Sequence, residues 1–198
     1  AVHAGGVCVS EESKFTLNNG AITRNFANLS ADLGVGNSGA VHVIGNSTFI
    51  MNGGELTDNY ARGNGGATYQ SGKNTFILNG GKISGNTAEY GGGGVCTNNE
   101  STFTMNGGEI SNNKAMQGSS TVIDYANGGG VQVKRNSVFT MKGGVIKNNS
   151  IAGNNGGGVD IWMGSTFELI DGKSTGNSSQ ASGGGVNVGR LDDTAVSN

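Results

Sequence analysis

The sequence predicts an all-β protein: a right-handed, single-stranded parallel β-helix (a solenoid) with about six to seven coils of about 27 residues each. The first observation is an internal repeat, since the block FTMNGGEISNNKA at 103–115 has near copies from Phe49 and Phe76. Weaker copies begin at Phe15, Phe139 and Phe167. The second observation is that apolar and polar residues alternate within each copy, which is typical of short half-buried strands. The right hand is expected because parallel crossover connections are almost always right-handed.

Each element of the coil corresponds to a column of like residues. A first strand contains GGV or a related triplet, whose Val (Thr68 in one copy) lies eight residues before the Phe. The Phe and the Leu or Met two residues later predict a second strand, and the Ile or Leu seven residues after the Phe predicts a third. Gly-Gly pairs between the strands allow tight corners. Stacking of the columns would bury a continuous apolar rod, with neighbouring coils about 4.8 Å apart.

A polar column accompanies the apolar ones. An Asn occurs ten residues after every Phe, at Asn25, Asn59, Asn86, Asn113, Asn149 and Asn177. We expect these six residues to form a ladder at one corner of the coil, in which each amide hydrogen-bonds to the amide of the next coil. The role predicted for this column is structural.

Composition and charge exclude several classes of protein. Of 198 residues, 39 are Gly and none is Pro, and there is no Gly-X-Y period, so the chain is not a collagen. Charged residues make up 13% and the net charge is −2, which gives no reason to expect a nucleic-acid partner. The chain has no run of about 18 apolar residues, so no membrane-spanning segment is expected.

Two recurring motifs resemble those of known surface proteins. FTLN at 15–18, FIMN at 49–52, FILN at 76–79 and FTMN at 103–106 match an FxxN motif. GGAT at 65–68, SGAV at 38–41 and the GGGV runs resemble a GGA[ILV] motif. Together the motifs resemble the repeats of polymorphic outer-membrane proteins and of pectate-lyase-like adhesive domains on bacterial surfaces. The pattern departs from the motif where Lys142 and Ile170 replace the Asn.

The resemblance implies an adhesin or a structural stalk that is extracellular or displayed on the cell surface. Its implied partners are a glycan or a host surface protein, and no catalytic residue carries over because the matching motifs are structural. We expect residues 1–198 to form a single β-helix domain that is a fragment of a longer protein. Open strand edges at its two ends would allow end-to-end self-association.

Candidate ligand-binding residues lie in one insertion and at one turn. Long insertions occur only after the Ala column, at 28–37 and 116–127, so both loops project from one corner of the rod. The second loop carries Asp124 and Tyr125, an acidic and an aromatic residue that suit contact with a sugar. The alternative is that the loop is a surface insertion without a function of its own. Trp162, the only Trp, follows an outward position, where it either stacks on a sugar or packs the turn.

One further column is predicted to face outward from the GGV strand. Its members are Cys8, His42, Tyr69, Cys96, Gln132, Asp160 and Asn187. Cys8 and Cys96 are three coils apart, about 14 Å, whereas a disulfide needs Cα atoms within about 7 Å, so both are expected to be free thiols. No third group orients a Cys–His pair and no four metal ligands converge, so no catalytic residue, cofactor or metal is predicted.

Two alternative functions stay open. Pectin-degrading enzymes also use β-helices, so the chain could be a carbohydrate-active, pectin-lyase-like domain that lacks a recognisable catalytic site. The outward residues beside the Phe column are rich in Thr, which resembles the ice-binding faces of antifreeze solenoids. Those residues are Thr48, Ile50, Thr75, Ile77, Thr102, Thr104, Val138 and Thr140. Ordinary β propensity also accounts for them.

Overall fold

Each copy of the repeat folds into one coil of a parallel β-helix, because its apolar residues alternate with polar ones and glycines lie at the corners. The computed structural model describes residues 4–28, 36–116 and 127–189. Within these ranges the chain forms 23 strands and no helix, which confirms the predicted fold class. None of the described residues therefore belongs to a helix that could span a membrane.

The first three coils contain four strands each. Coil 1 contains β1 (Val7–Val9), β2 (Lys14–Leu17), β3 (Ala21–Thr23) and β4 (Phe26–Ala27). Coil 2 contains β5 (Val41–Ile44), β6 (Thr48–Met51), β7 (Glu55–Thr57) and β8 (Tyr60–Ala61). Coil 3 contains β9 (Thr68–Ser71), β10 (Thr75–Leu78), β11 (Lys82–Ser84) and β12 (Thr87–Ala88).

The later coils keep the same order with one change. Coil 4 contains β13 (Val95–Asn98), β14 (Thr102–Met105), β15 (Glu109–Ser111) and β16 (Lys114–Ala115). Coil 5 contains β17 (Val131–Val133), β18 (Val138–Lys147) and β19 (Ser150–Ile151). Coil 6 contains β20 (Val159–Ile161), β21 (Thr166–Thr175) and β22 (Ser178–Ser179), and β23 (Val186–Val188) begins the next coil. In coils 5 and 6 the Phe and Ile strands merge into one strand.

The strands stack into three parallel sheets. Sheet A orders the GGV strands as β1-β5-β9-β13-β17-β20-β23, and sheet C orders the two-residue strands as β22-β19-β16-β12-β8-β4. Sheet B holds the Phe and Ile strands in the order β2-β6-β10-β14-β18-β15-β11-β7-β3, with β21 paired to β18. Equivalent repeat positions pair directly, so that Phe76 lies between Phe49 and Phe103.

The core is a rod of like residues stacked on like residues. Six Phe rings form a continuous stack, with centroids 4.6 to 5.3 Å apart and interplanar angles of at most 18°. Phe49, Phe76, Phe103 and Phe139 are fully buried, and burial of each stabilises the fold by about 1.5–3 kcal/mol. The Val, Leu or Met, and Ile columns pack in the same cluster. One coil alone could not cover these side chains, so stability depends on stacking.

The Asn column forms a ladder at the corner between sheets B and C. From Asn25 to Asn149, each side-chain amide donates to Oδ1 of the Asn in the next coil at 2.9 to 3.0 Å. The backbone N–H of each residue donates to the same oxygen. Asn86 also donates to the Leu56 carbonyl and closes the corner against the preceding coil. These bonds satisfy amides whose burial without partners would cost about 1–3 kcal/mol each.

Two further ladders join the coils, and neither was predicted from the sequence. At the corner between sheets A and B, a Ser or Asn two residues before each Phe accepts a hydrogen bond from the backbone N–H of its counterpart in the preceding coil. Its members are Ser13, Ser47, Asn74, Ser101, Ser137 and Ser165. The other ladder is exposed and joins the Asn residues of the FxxN motifs, from Asn106 to Asn18, at 2.7 to 2.8 Å.

Candidate functional site

A column rich in titratable groups lies on the outer side of sheet A. Its members pair in register from coil to coil and are Cys8, His42, Tyr69, Cys96, Gln132, Asp160 and Asn187. They point away from the core, because the residues that flank His42, Gln132 and Asp160 in their strands lie in the core cluster and the other members pair with these three in register. Although these side chains point outward, the five middle members of the column are at most 9% exposed.

The glycine-rich turn that precedes each strand of sheet A covers this column. Gly65, Gly92 and Gly156 have φ between +65° and +70°, a left-handed conformation that residues with side chains disfavour. A Cβ atom on Gly92 would lie 2.4 Å from the Val95 carbonyl oxygen and 2.8 Å from the Cβ of Cys96. Ser38 occupies the equivalent position in coil 2, with φ +66°, and its hydroxyl donates to the Ala67 carbonyl, so this left-handed position favours glycine without requiring it in every coil.

The covered side chains form a buried polar network. The Cys96 thiol donates to Gln132 Oε1 at 3.3 Å, and Asn98 donates to the Tyr69 hydroxyl at 2.9 Å. Burial raises the pKa of the Cys96 thiol to about 11 and also raises the pKa of the Tyr69 hydroxyl. Because the thiolate is the nucleophilic form, Cys96 is held in its unreactive state. The network links Cys96 to Gln132 and Tyr69 to Asn98 across neighbouring coils.

Two charged residues belong to the same buried layer. Asp160 is 1% exposed, and its Oδ1 accepts a hydrogen bond of 2.7 Å from Asn187. Burial raises the pKa of Asp160 to about 6, against the opposing effects of the Asn187 hydrogen bond and the positive charge of Lys134. Lys134 is also 1% exposed, and its Nζ donates to Asn64 Oδ1 at 3.4 Å. The charge of this layer changes near pH 6, which links protonation to stability.

Cys8 and His42 are the Cys–His neighbours that the sequence places side by side. Cys8 is exposed and Cys96 is buried, and both are free thiols, which confirms that they form no disulfide. Burial raises the pKa of Cys8, and a hydrogen bond with Ser10 opposes this to a smaller extent. The thiol form is therefore favoured at neutral pH. Among residues 4–28, 36–116 and 127–189, no group of three or more His, Cys, Asp or Glu is placed to hold a metal ion.

The structure bears on one of the three ligand-binding residues that the sequence predicts. Asp124 and Tyr125 lie outside the described residues. Trp162 is 6% exposed, so its ring is not available for sugar stacking, and the turn-packing alternative describes it. Its backbone N–H donates to the Val133 carbonyl of the preceding coil and so extends the pairing of sheet A beyond β20.

The outer face of sheet B is open to solvent. Thr48, Thr75 and Thr102 pair in register, and all three side chains are exposed or half-buried. The Thr102 hydroxyl donates to the Thr75 hydroxyl at 3.3 Å. On the Ile strands of the same face, the Glu109 carboxylate lies 2.9 Å from Lys147 Nζ. The hydrogen bond from Lys147 lowers the pKa of Glu109, the opposite shift to that of Asp160.

An exposed cluster of aromatic and charged residues, missed by reasoning from the sequence, lies on the outer face of sheet C. We call Phe26, Tyr60, Arg62 and Glu89 the sheet C cluster. Phe26 and Tyr60 pair in register, and their rings stack with centroids 5.2 Å apart at 15°. The Tyr60 hydroxyl donates to Glu89 Oε1 at 2.7 Å, and Arg62 Nε lies 3.6 Å from the same oxygen. The available sequence signal was an aromatic residue directly before the Ala column in two consecutive copies.

Comparisons with known proteins assign no family to this chain. No family model, no curated protein and no solved structure matches it. The resemblance to repeats of surface proteins therefore stays an expectation from the FxxN and GGA[ILV] motifs.

Proposed function

We propose that this chain is an extracellular or cell-surface segment, an adhesin or stalk, that displays or binds a glycan or a host protein and catalyses no reaction. The observation that carries the proposal is the continuity of the Asn ladder and the Phe stack through all six described coils. These contacts join every coil to the next. They make a stiff rod whose long outer faces are suited to display and contact.

The contacts that hold the rod together also suit an exposed location. Amide and hydroxyl ladders carry no net charge, so changes in salt weaken them less than they weaken surface ion pairs. Both Cys residues are free, so the fold does not depend on a disulfide or on the redox state of its surroundings. Such a rod keeps its structure outside the cell without additional cross-links.

Adhesion by the full chain, displayed on a non-adherent bacterium through a fused surface anchor, tests the proposal. We expect displaying cells to be retained on surfaces coated with host-cell glycans or extracellular-matrix proteins, and cells carrying the anchor alone to be washed away. Resistance of the displayed chain to protease checks that it is folded.

Retention no greater than that of the anchor alone, with a folded chain, would contradict a binding role. Release of unsaturated products from pectin by the purified chain would contradict the absence of catalysis. Thermal hysteresis of the purified chain would favour the ice-binding alternative, since it requires a surface that holds ordered water.

A further inference from the structure

Among the described residues, Phe26 is the strongly exposed apolar side chain that carries an aromatic ring. Ile170 is more exposed, at 59%, but it is aliphatic and occupies the column of the FxxN Asn residues. Leu169, Val186 and Val188 belong to inward columns whose members in other coils are buried. Phe26 is 52% exposed and belongs to the outward column of sheet C. The other members of that column are Tyr60, Thr87, Lys114, Ser150 and Ser178. The ring at this position lies outside the core, so its exposed face is open to a ligand.

The two stacked rings offer an apolar surface on the outside of the rod. Phe26 stacks on Tyr60 at 5.2 Å, because the pairing of their strands places the two residues side by side. A ring that is already fixed loses little conformational entropy when a ligand packs against it. The C–H face of a pyranose ring is a flat apolar surface of matching size, and an aromatic side chain with a polar edge suits such a ligand.

The polar half of the sheet C cluster keeps hydrogen-bonding capacity for a ligand. Both contacts to Glu89 use its Oε1, and a carboxylate has a second oxygen that can accept from hydroxyl groups. The contact from Arg62 uses Nε, while the guanidinium carries four further N–H donors. The Arg62 and Glu89 side chains are 44% and 28% exposed, so both can be reached from solvent. Paired donors and acceptors of this kind recognise vicinal hydroxyl groups.

The charges of the cluster decide which class of glycan fits. Arg62 and Glu89 form an ion pair, so their charges largely cancel at the surface. Burial, together with the Glu89 hydrogen bond and charge, raises the pKa of Tyr60 to about 12, so the hydroxyl remains a neutral donor. A uronate or sialic acid would meet no unpaired positive charge within the cluster. A neutral sugar would meet an apolar platform and a polar rim.

The geometry points to the sheet C cluster as a binding site for a neutral glycan, with a sugar ring packed on Phe26 and its hydroxyls bonded to Glu89 and Arg62. This inference rests on the proposed function and deepens it, because it names the ligand class and the residues. The cluster spans three coils, about 10 Å along the rod. That length accommodates a short oligosaccharide rather than a single functional group.

The inference is tested by the binding of the full chain to an array of immobilised oligosaccharides. The array holds neutral gluco-, galacto- and manno-oligosaccharides and, for comparison, oligosaccharides that contain uronates. Four variants are compared with the wild type. F26S removes the aromatic ring on which the sugar packs, F26W replaces it with another aromatic ring, and E89Q removes the charge of the carboxylate that accepts from the sugar hydroxyls. V138S is the matched control, since it removes an exposed apolar side chain from sheet B. We expect the wild type to bind neutral oligosaccharides. F26S and E89Q should each weaken binding about tenfold, a change of about 1.4 kcal/mol, while F26W and V138S stay near wild type.

Unfolding curves identify any variant that fails to fold, and F26W tests the position independently of F26S. Neutral-glycan binding that F26S leaves unchanged would overturn this site but keep the proposed function. Binding only to uronates, or only to host proteins in the adhesion assay, would overturn the neutral-glycan inference and again keep the proposed function. Absence of binding in both assays would overturn the neutral-glycan site and the binding role of the proposed function, which would leave the stalk role alone.

Discussion

The outer faces of sheets A and B begin from the same alternating sequence pattern and end in different environments. On sheet A the outward residues Cys96, Gln132 and Asp160 are at most 1% exposed, whereas on sheet B the outward residues Thr48, Thr75 and Thr102 are exposed or half-buried. Alternation places both sets outside the core in the same way. The two faces differ in exposure because a turn covers the outward side chains of sheet A and none of the described turns covers those Thr residues of sheet B.

A second layer covers one face because its turn is built from glycine. The turn before each sheet A strand runs against the outward side chains, and Gly92 allows it to approach the Cβ of Cys96. The alternation of apolar and polar residues determines on which side of a strand a side chain lies. Whether that side meets solvent is decided by the path of the neighbouring turn. Substitution in the turn should have the largest effect on stability, titration of Asp160 a smaller one, and access of a reagent to Cys96 none.

The largest effect is expected from a side chain placed in the covering turn. G92A requires a left-handed residue and a Cβ 2.4 Å from the Val95 carbonyl oxygen, whereas G72A requires a left-handed residue with no atom within 4 Å of the new Cβ. We expect G92A to lower the free energy of unfolding by about 4 kcal/mol, from backbone strain plus overpacking. G72A should lower it by about 1 kcal/mol, from strain alone. Urea unfolding of both variants measures the difference, and equal losses would show that the turn does not press on sheet A.

A smaller effect on the free energy of unfolding is expected from the charge of Asp160, which lies beneath the glycine-rich turn. The pKa of Asp160 is raised from 3.8 to about 6, so the folded state binds the proton more tightly than the unfolded state. The stability that this difference provides is complete below about pH 3.8 and is lost as the pH rises through about 6, a change of about 3 kcal/mol. D160N keeps an Oδ1 acceptor for Asn187, so we expect it to be more stable than wild type at pH 7 and equal to it at acidic pH.

The matched control for this titration is Glu109 on the open face of sheet B. Its pKa is lowered by Lys147, so its contribution to stability is present above its usual pKa and is lost as the pH falls. E109Q should therefore lose stability relative to wild type at pH 7, the opposite sign to D160N. Urea unfolding of the three proteins at several pH values measures both signs. A difference between D160N and wild type that is independent of pH would contradict burial of the Asp160 charge.

The smallest effect is expected from chemical access, which leaves stability unchanged. Cys8 is exposed, while Cys96 lies under the turn and its pKa is raised to about 11. We therefore expect iodoacetamide to add one adduct to the native chain, at Cys8, and two adducts to the chain in denaturant. Peptide mass spectrometry identifies the modified residue. Alkylation of Cys96 in the native chain at a rate near that of Cys8 would mean that the cover opens readily.

Much of the fold could be predicted from the sequence, because residues at equivalent positions of the repeat stack on one another in neighbouring coils. Phe on Phe, Ile on Ile and Asn on Asn satisfy packing and hydrogen bonding only when equivalent positions pair in register. The alternating pattern places Asp160 outside the core, but it does not indicate that Asp160 and Trp162 are buried, at 1% and 6% exposure. The sheet C cluster was also missed, because Phe26, Tyr60 and Glu89 come from three coils and no one coil contains the pattern.

The sequence by itself determined the β-helix, the register of its coils and the composition of its core, since the periodic columns allow one stacking that buries the apolar residues of the central coils and pairs the Asn amides. Only the tertiary structure decided which outward residues are covered and which charged and aromatic residues meet across coils. The physical reason is that these contacts depend on the path of the turns. That path follows from left-handed glycines and from the close approach of neighbouring coils, and neither appears as a period in the sequence.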